Sequence, residues 1–158
     1  VQSMADKFTA RKLMNQGRLL GLPSGGRLNM FFYDPKGKKK LPYYDTFPLV
    51  LPLESIKGGF MGMNFHYLPY MLRFKLLERM QKFSTGGFDR MTRLDANYND
   101  VKKIGLVRPT IKKYLYNHVQ SRFLRIDFDE AVLAAYLPVQ QFKKASESKV
   151  WSDSRRMI

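Results

Sequence analysis

Residues 29–69 read NMFFYDPKGKKKLPYYDTFPLVLPLESIKGGFMGMNFHYLP, and the reading of this stretch decides the fold. Three short runs rich in β-forming residues, NMFFYD, LPYYDTFPLVLPL and FMGMNFHYL, are separated by turn residues at Pro35-Lys36-Gly37 and Lys57-Gly58-Gly59. Phe31, Phe32, Tyr33, Tyr43, Tyr44, Phe47, Phe60, Phe65 and Tyr67 supply the aromatic surface for a core. The pattern predicts a meander of two or three antiparallel strands. Pro42, Pro48 and Pro52 cannot donate to a ladder, so the middle run is expected at an edge, bulged or partly irregular. Gly58, Gly59 and Gly62 mark a tight turn and a close backbone approach.

After Pro69 the apolar period changes from two to nearly four. Leu72, Leu76, Leu77, Met80 and Phe83 share one helical face, Pro69 suits a first turn, and Ser84-Thr85-Gly86-Gly87 ends the helix. Upstream, Ser3 to Leu20 reads as an amphipathic helix, and Gly21 to Gly26 as a flexible connection. Residues 1–27 are therefore expected as a helical arm and linker, with a helix packed on its own sheet as the alternative. Residues 84–107 read as a loop with a short helix. Ile111, Leu115 and Val119, at i, i+4 and i+8, predict a second helix. SRFLRI alternates as a half-buried strand does. DEAVLAAYL follows as a helix capped by Asp127 or Asp129, with a short helical turn from Val139 to Ala145. The class is α+β: a small antiparallel sheet at about 28–67 with helices packed over one face. Residues 28–145 form the domain and 146–158 a C-terminal interaction tail.

The charge narrows the partners. The 158 residues carry 28 Lys plus Arg against 13 Asp plus Glu, a net charge of +15. Such a chain repels itself unless it meets a polyanion or an acidic protein surface. Nucleic acid fits better than a membrane, because no strongly basic helix with a clean apolar face stands out. No run approaches the roughly 20 apolar residues of a bilayer span, and VQSMADKF lacks a signal peptide's apolar centre. Lys38, Lys39 and Lys40 at a turn tip, Lys102, Lys103, Lys112, Lys113, Arg122 and Arg125 are the candidate nucleic-acid contacts. No helix carries the paired Asn, Gln and Arg of base readout, so binding is expected to be electrostatic and non-specific.

Catalytic chemistry finds little footing. The chain has no cysteine, which excludes disulfides, thiolate metal sites and thiol nucleophiles. No P-loop, H-x-x-x-H, H-x-E or G-x-S-x-G pattern occurs. Asp89, Asp95 and Asp100 miss the EF-hand spacing. Glu147-Ser148-Lys149 matches the E-x-K of metal-dependent nucleases but lacks its upstream aspartate. His66 reads as a hydrogen-bonded histidine at the core's edge, and Asp45 as a structural carboxylate accepting backbone N–H groups in a turn. A non-enzymatic protein is expected, with no catalytic residue, metal, cofactor, membrane or small-molecule substrate. Trp151, the single tryptophan, lies in the polar segment KVWSDSRRMI and is expected to anchor a partner, with Arg155 and Arg156 near an acidic or phosphate surface. The alternative folds Val150 and Trp151 back over the chain's own sheet.

The runs MFFYDPKGKKKLPYYDTFPLVLPL, GGFMGMNFHYLP, RPTIKKYLYNHVQSRFLRI and KVWSDSRRMI together resemble a family of small basic proteins of T-even-type contractile-tailed phages. The resemblance runs from Asn29 through nearly the whole remaining chain. It implies a non-enzymatic protein of the virion or its assembly, found in the virion and, during assembly, in the host cytoplasm. Its implied partners are other phage virion proteins, with the packaged double-stranded DNA as a further one. Two roles suit it: a DNA-end or head–tail connector component, or a tail or baseplate piece between larger subunits. A structural virion protein is the leading expectation. The alternative is a free non-specific nucleic-acid-binding protein of replication or packaging, of the kind that protects DNA ends. A nuclease comes third.

Overall fold

The computed structural model describes residues 9–158. Their strands are β1 (Leu19–Leu20), β2 (Leu28–Met30), β3 (Tyr44–Asp45), β4 (Leu49–Ile56), β5 (Gly59–Asn64), β6 (Ile111–Leu115), β7 (Phe123–Ile126) and β8 (Phe142–Lys143). The predicted meander is present as β2-β4-β5. Its last turn, Lys57-Gly58, holds Gly58 at φ 76°, a left-handed conformation that costs glycine nothing. β4 lies between β2 and β5, so it is no edge strand. Pro52 is accommodated instead by a register shift between Pro52 and Glu54, the bulge that the prolines allowed.

The sheet reaches well beyond 28–67. Six antiparallel strands run in the order β1-β7-β2-β4-β5-β6, and β3 pairs with β8 in a separate two-stranded sheet. β6 corrects the helix expected over 111–119: Ile111 pairs with Met63 and Tyr114 with Phe60, and a 3-10 turn follows at Tyr116–His118. β8 likewise stands where a helical turn was expected between Val139 and Ala145.

The helices are α1 (Ala10–Gln16), α2 (Tyr70–Met80), α3 (Tyr98–Val101), α4 (Ala131–Tyr136) and α5 (Glu147–Met157). The start of the first helix expected, at Ser3, lies outside the described residues. Thr9 caps α1 by accepting from the Lys12 N–H at 3.3 Å. α1 stops at Gly17, where any Cβ would sit 1.8 Å from Leu124 Cδ1. Any larger residue there would have to displace the end of the Leu124 side chain where the chain passes over β7 to enter β1. Within the stretch expected as an arm and linker, Ala10 and Met14 are core residues and β1 is a sheet strand.

One sheet face carries the main core. Met30, Leu49, Leu51 and Met63 meet Leu76, Leu77 and Met80 of α2 and Ala131, Ala134 and Ala135 of α4. Each buried Leu or Met there contributes about 1.5–3 kcal/mol. The other face holds an aromatic cluster centred on Phe31, whose ring lies 4.8–6.1 Å from those of Tyr33, Phe60, Tyr114 and Phe123.

Residues 147–157 of the expected interaction tail are helical. Ser146 accepts from the Lys149 N–H at 3.2 Å, Glu147 lies in the first turn of α5, and Arg155 and Arg156 lie in its last, where they complement the helix dipole. Val150 and Ser154 are buried against the domain.

Candidate nucleic-acid interface

A cleft of about 380 Å³ opens between the loop 34–41 and the edge strand β6, with Tyr33, Lys36, Tyr43, Tyr44, Tyr67, Lys112, Lys113 and Tyr114 among its lining residues. The loop is braced rather than a free hairpin tip. Lys40 and Leu41 donate their N–H groups to the carbonyls of Gly37 and Lys38, at 2.9 and 3.3 Å. The Lys144 ammonium donates to the carbonyls of Lys38, Lys39 and Leu41. β3–β8 pairing makes this possible, because it sets Lys143 opposite Tyr44 and brings Lys144, at φ 72°, beneath the loop. A braced loop loses less freedom when it binds a ligand.

β6 supplies the opposite wall. The alternation of a strand puts Lys112 and Tyr114 on the aromatic face, opposite Gly62 and Phe60. The Lys112 ammonium lies 3.9 Å above the centre of the Tyr67 ring, a cation–π contact. It forms no ion pair with a carboxylate among the described residues. Burial lowers its pKa from the ordinary 10.5 to about 8. Burial also raises Tyr33, Tyr43, Tyr67 and Tyr114 above the ordinary 10, so these phenols are neutral at physiological pH.

Under the cleft, Asp45 is held as a carboxylate. It accepts from the N–H groups of Phe47 and Gln141 at 3.0 and 3.1 Å, from Asn64 Nδ2 at 3.0 Å and from His66 Nδ1 at 2.8 Å. Burial by itself would raise its pKa, but His66 and these donors outweigh that and hold it below the ordinary value. Burial lowers His66, with Asp45 opposing, so its Nδ1–H is the donor to Asp45. The unfolded chain therefore takes up a proton below pH 6.5, the ordinary histidine value, more readily than the folded one, and stability falls on that side. Both side chains are sealed from solvent, which is the structural role expected for Asp45.

The His66 carbonyl extends this network. It accepts from Trp151 Nε1 at 2.9 Å and from Arg73 Nη2 at 3.3 Å. Arg73 is fully buried, although the helical stripe set it off the apolar face. Its Nε and Nη1 donate to the carbonyls of Leu68 and Ala135 at 2.7 and 2.8 Å, and Tyr70 stacks beneath its guanidinium. Burial lowers its pKa to about 10. Trp151 also meets the Tyr70 ring edge-on, so the structure places it on the chain's own domain. Arg155 and Arg156 are exposed on α5, with Arg156 3.5 Å from Asp153.

Of the predicted contacts, Lys112 and Lys113 line the cleft, and Lys38, Lys39 and Lys40 lie on its braced loop between the lining residues Lys36 and Leu41. Lys38 is paired with Asp34 at 2.8 Å. Lys102 and Lys103 follow α3, and Arg122 precedes β7; all three are exposed and none lines the cleft. Arg125 lies 3.2 Å from the buried Asp127, which also takes Arg18 at 2.9 Å and Arg27 at 3.7 Å. Asp127 therefore serves as an arginine hub, with no side-chain cap to the turn it heads. Sequence reasoning missed Lys36, Tyr43, Tyr44, Lys143 and Lys144. For Lys36 the signal was its place in the same lysine run; Lys143 and Lys144 enter only through strand pairing.

Fold and cleft together define a basic α+β domain with an indentation beside the aromatic face walled by tyrosines and lysines, chemistry suited to an anionic polymer. Residues 5–155 match the family model described as phage T4 terminal DNA protecting protein, and the chain belongs to that family. No curated protein and no solved structure matches it. A T4-type phage protein is thus what the resemblance had implied; the tail, baseplate and head–tail roles draw no support from the family.

Proposed function

We propose that this chain binds the ends of double-stranded DNA and shields them from exonucleases, without cutting DNA itself. The observation that carries this reading is the cleft: in a member of a DNA-protecting family, Lys36, Lys112 and Lys113 converge on one tyrosine-lined hollow with no carboxylate paired to any of them among the described residues. It follows the alternative drawn from the sequence rather than the structural virion role expected first. Phosphates of the terminal turns would meet these lysines together with Lys39, Lys40 and Lys143. A bulky domain seated there leaves an exonuclease no free terminus to thread.

The test uses one sequence as a linear duplex and as a relaxed circle. The protein should slow exonuclease digestion of the linear form and bind it more tightly than the circle. If about five phosphates are neutralised, log affinity falls against log salt with a slope near −4 to −5. Digestion that proceeds unhindered, or a salt-insensitive affinity, would overturn the reading. Strand cleavage by the protein with a divalent metal would reinstate the nuclease.

A further inference from the structure

We propose that the cleft takes a single unpaired terminal nucleotide, its base against Tyr43 and Tyr44 and its phosphate against Lys112. The proposal rests on the end-binding reading and deepens it by naming what the cleft holds. At about 380 Å³ the hollow is at the small end of the roughly 300–1,000 Å³ spanned by ligand pockets. One nucleotide fits in such a space, and a duplex does not.

Three features of the lining point to that ligand. Lys112 is half-buried beside the Tyr67 ring without an ion-pair partner among the described residues, and a partly buried cation in that state is completed by an anion from outside. Asp45, the one carboxylate in the lining, does not oppose a phosphate strongly, because both its oxygens already accept hydrogen bonds from Phe47, Gln141, Asn64 and His66. Tyr43 and Tyr44 are half-buried in the cleft wall, and a base has a face for such rings whatever its sequence. A bare phosphate or an acidic peptide would leave those rings without a flat partner. A nucleotide uses both walls.

The test uses duplexes with a short overhang carrying 2-aminopurine at the terminal position or in the duplex interior, beside the relaxed circle. With the intact protein the terminal probe's fluorescence should change and the interior probe's should not. Tyr44→Ala and Lys112→Met should each weaken overhang binding about ten-fold, the scale of one stacked base or one desolvated phosphate contact. Their affinity for the circle should move less than about two-fold. Tyr44→Phe and Lys112→Arg should restore overhang binding, which a loss of folding in the first pair would not mimic. Folded variants that keep full overhang affinity, or an interior probe that responds as strongly as the terminal one, overturn the proposal and leave the end-binding reading standing. If the intact protein does not prefer the linear duplex to the circle, both fall together.

Discussion

Two regions of this molecule gather basic side chains, and they do opposite things with them. Around Asp127, three arginines from three segments converge on one buried carboxylate, so the positive charge is answered within the fold. Around the cleft, Lys36, Lys112 and Lys113 have no such answer among the described residues, and Asp45, the carboxylate in the lining, is occupied by its own donors. A count of +15 treats both regions alike. The difference teaches that a candidate polyanion site is marked by charge left unpaired on a preorganised surface, and that Arg125, equal to Lys112 by composition, belongs to the architecture instead.

Asp127→Asn tests one half of this contrast and carries the largest expected effect. Removing the carboxylate leaves Arg27 and Arg125 partly buried without a counter-charge from Asp127 and should lower unfolding stability by about 3 kcal/mol in urea titrations. The salt slope of DNA binding should stay where it was; a steeper slope would mean that Asp127 had been masking a second phosphate site. The triple change Lys36→Met, Lys112→Met and Lys113→Met tests the other half. It should flatten the salt slope by about 3 without the loss of stability that Asp127→Asn brings. Loss of stability with an unchanged slope would reverse the assignment of the two regions.

The smallest effect is a pH limb. Lys112 titrates near 8 in the folded chain against an ordinary 10.5, so between those values the unfolded chain holds a proton that the folded one has released. Stability should therefore rise with pH across that window, while DNA-end affinity declines as Lys112 loses its charge. Tyr33, Tyr43, Tyr67 and Tyr114 facing it are raised above 10, and Asp45 lies below the window, so the limb should vanish in Lys112→Met. Binding titrations from pH 7 to 10 read this directly, and a limb that survives in the variant assigns it elsewhere.

Local pattern carried the reading where the alternatives differed in period. The meander of residues 29–64 announced itself through β-forming runs and a glycine turn, and α2 through its three-four stripe. The same logic failed at Ile111 and Leu115, because a spacing of four is also two strand repeats. Phe60 and Met63 decide for the strand by offering β6 an edge to pair with. α5 carried its signals in plain view, a serine cap and arginines in the last turn, but in a stretch so polar the docking of Val150 and Trp151 on the chain's own domain was legible only as the alternative to a partner anchor.

What the sequence by itself determined was the α+β class, the strand-turn-strand centre, the excess of positive charge and the absence of a catalytic motif, because each depends on residue type and short spacing alone. What only the tertiary structure decided was which charges remain free. Lys144 reaching beneath the loop, Asp127 drawing in Arg18, Arg27 and Arg125, and the tyrosines closing around Lys112 all join residues far apart in the chain. Electrostatic pairing falls off with distance in space, not along the chain, so it could be read only once the sheet had brought those residues together.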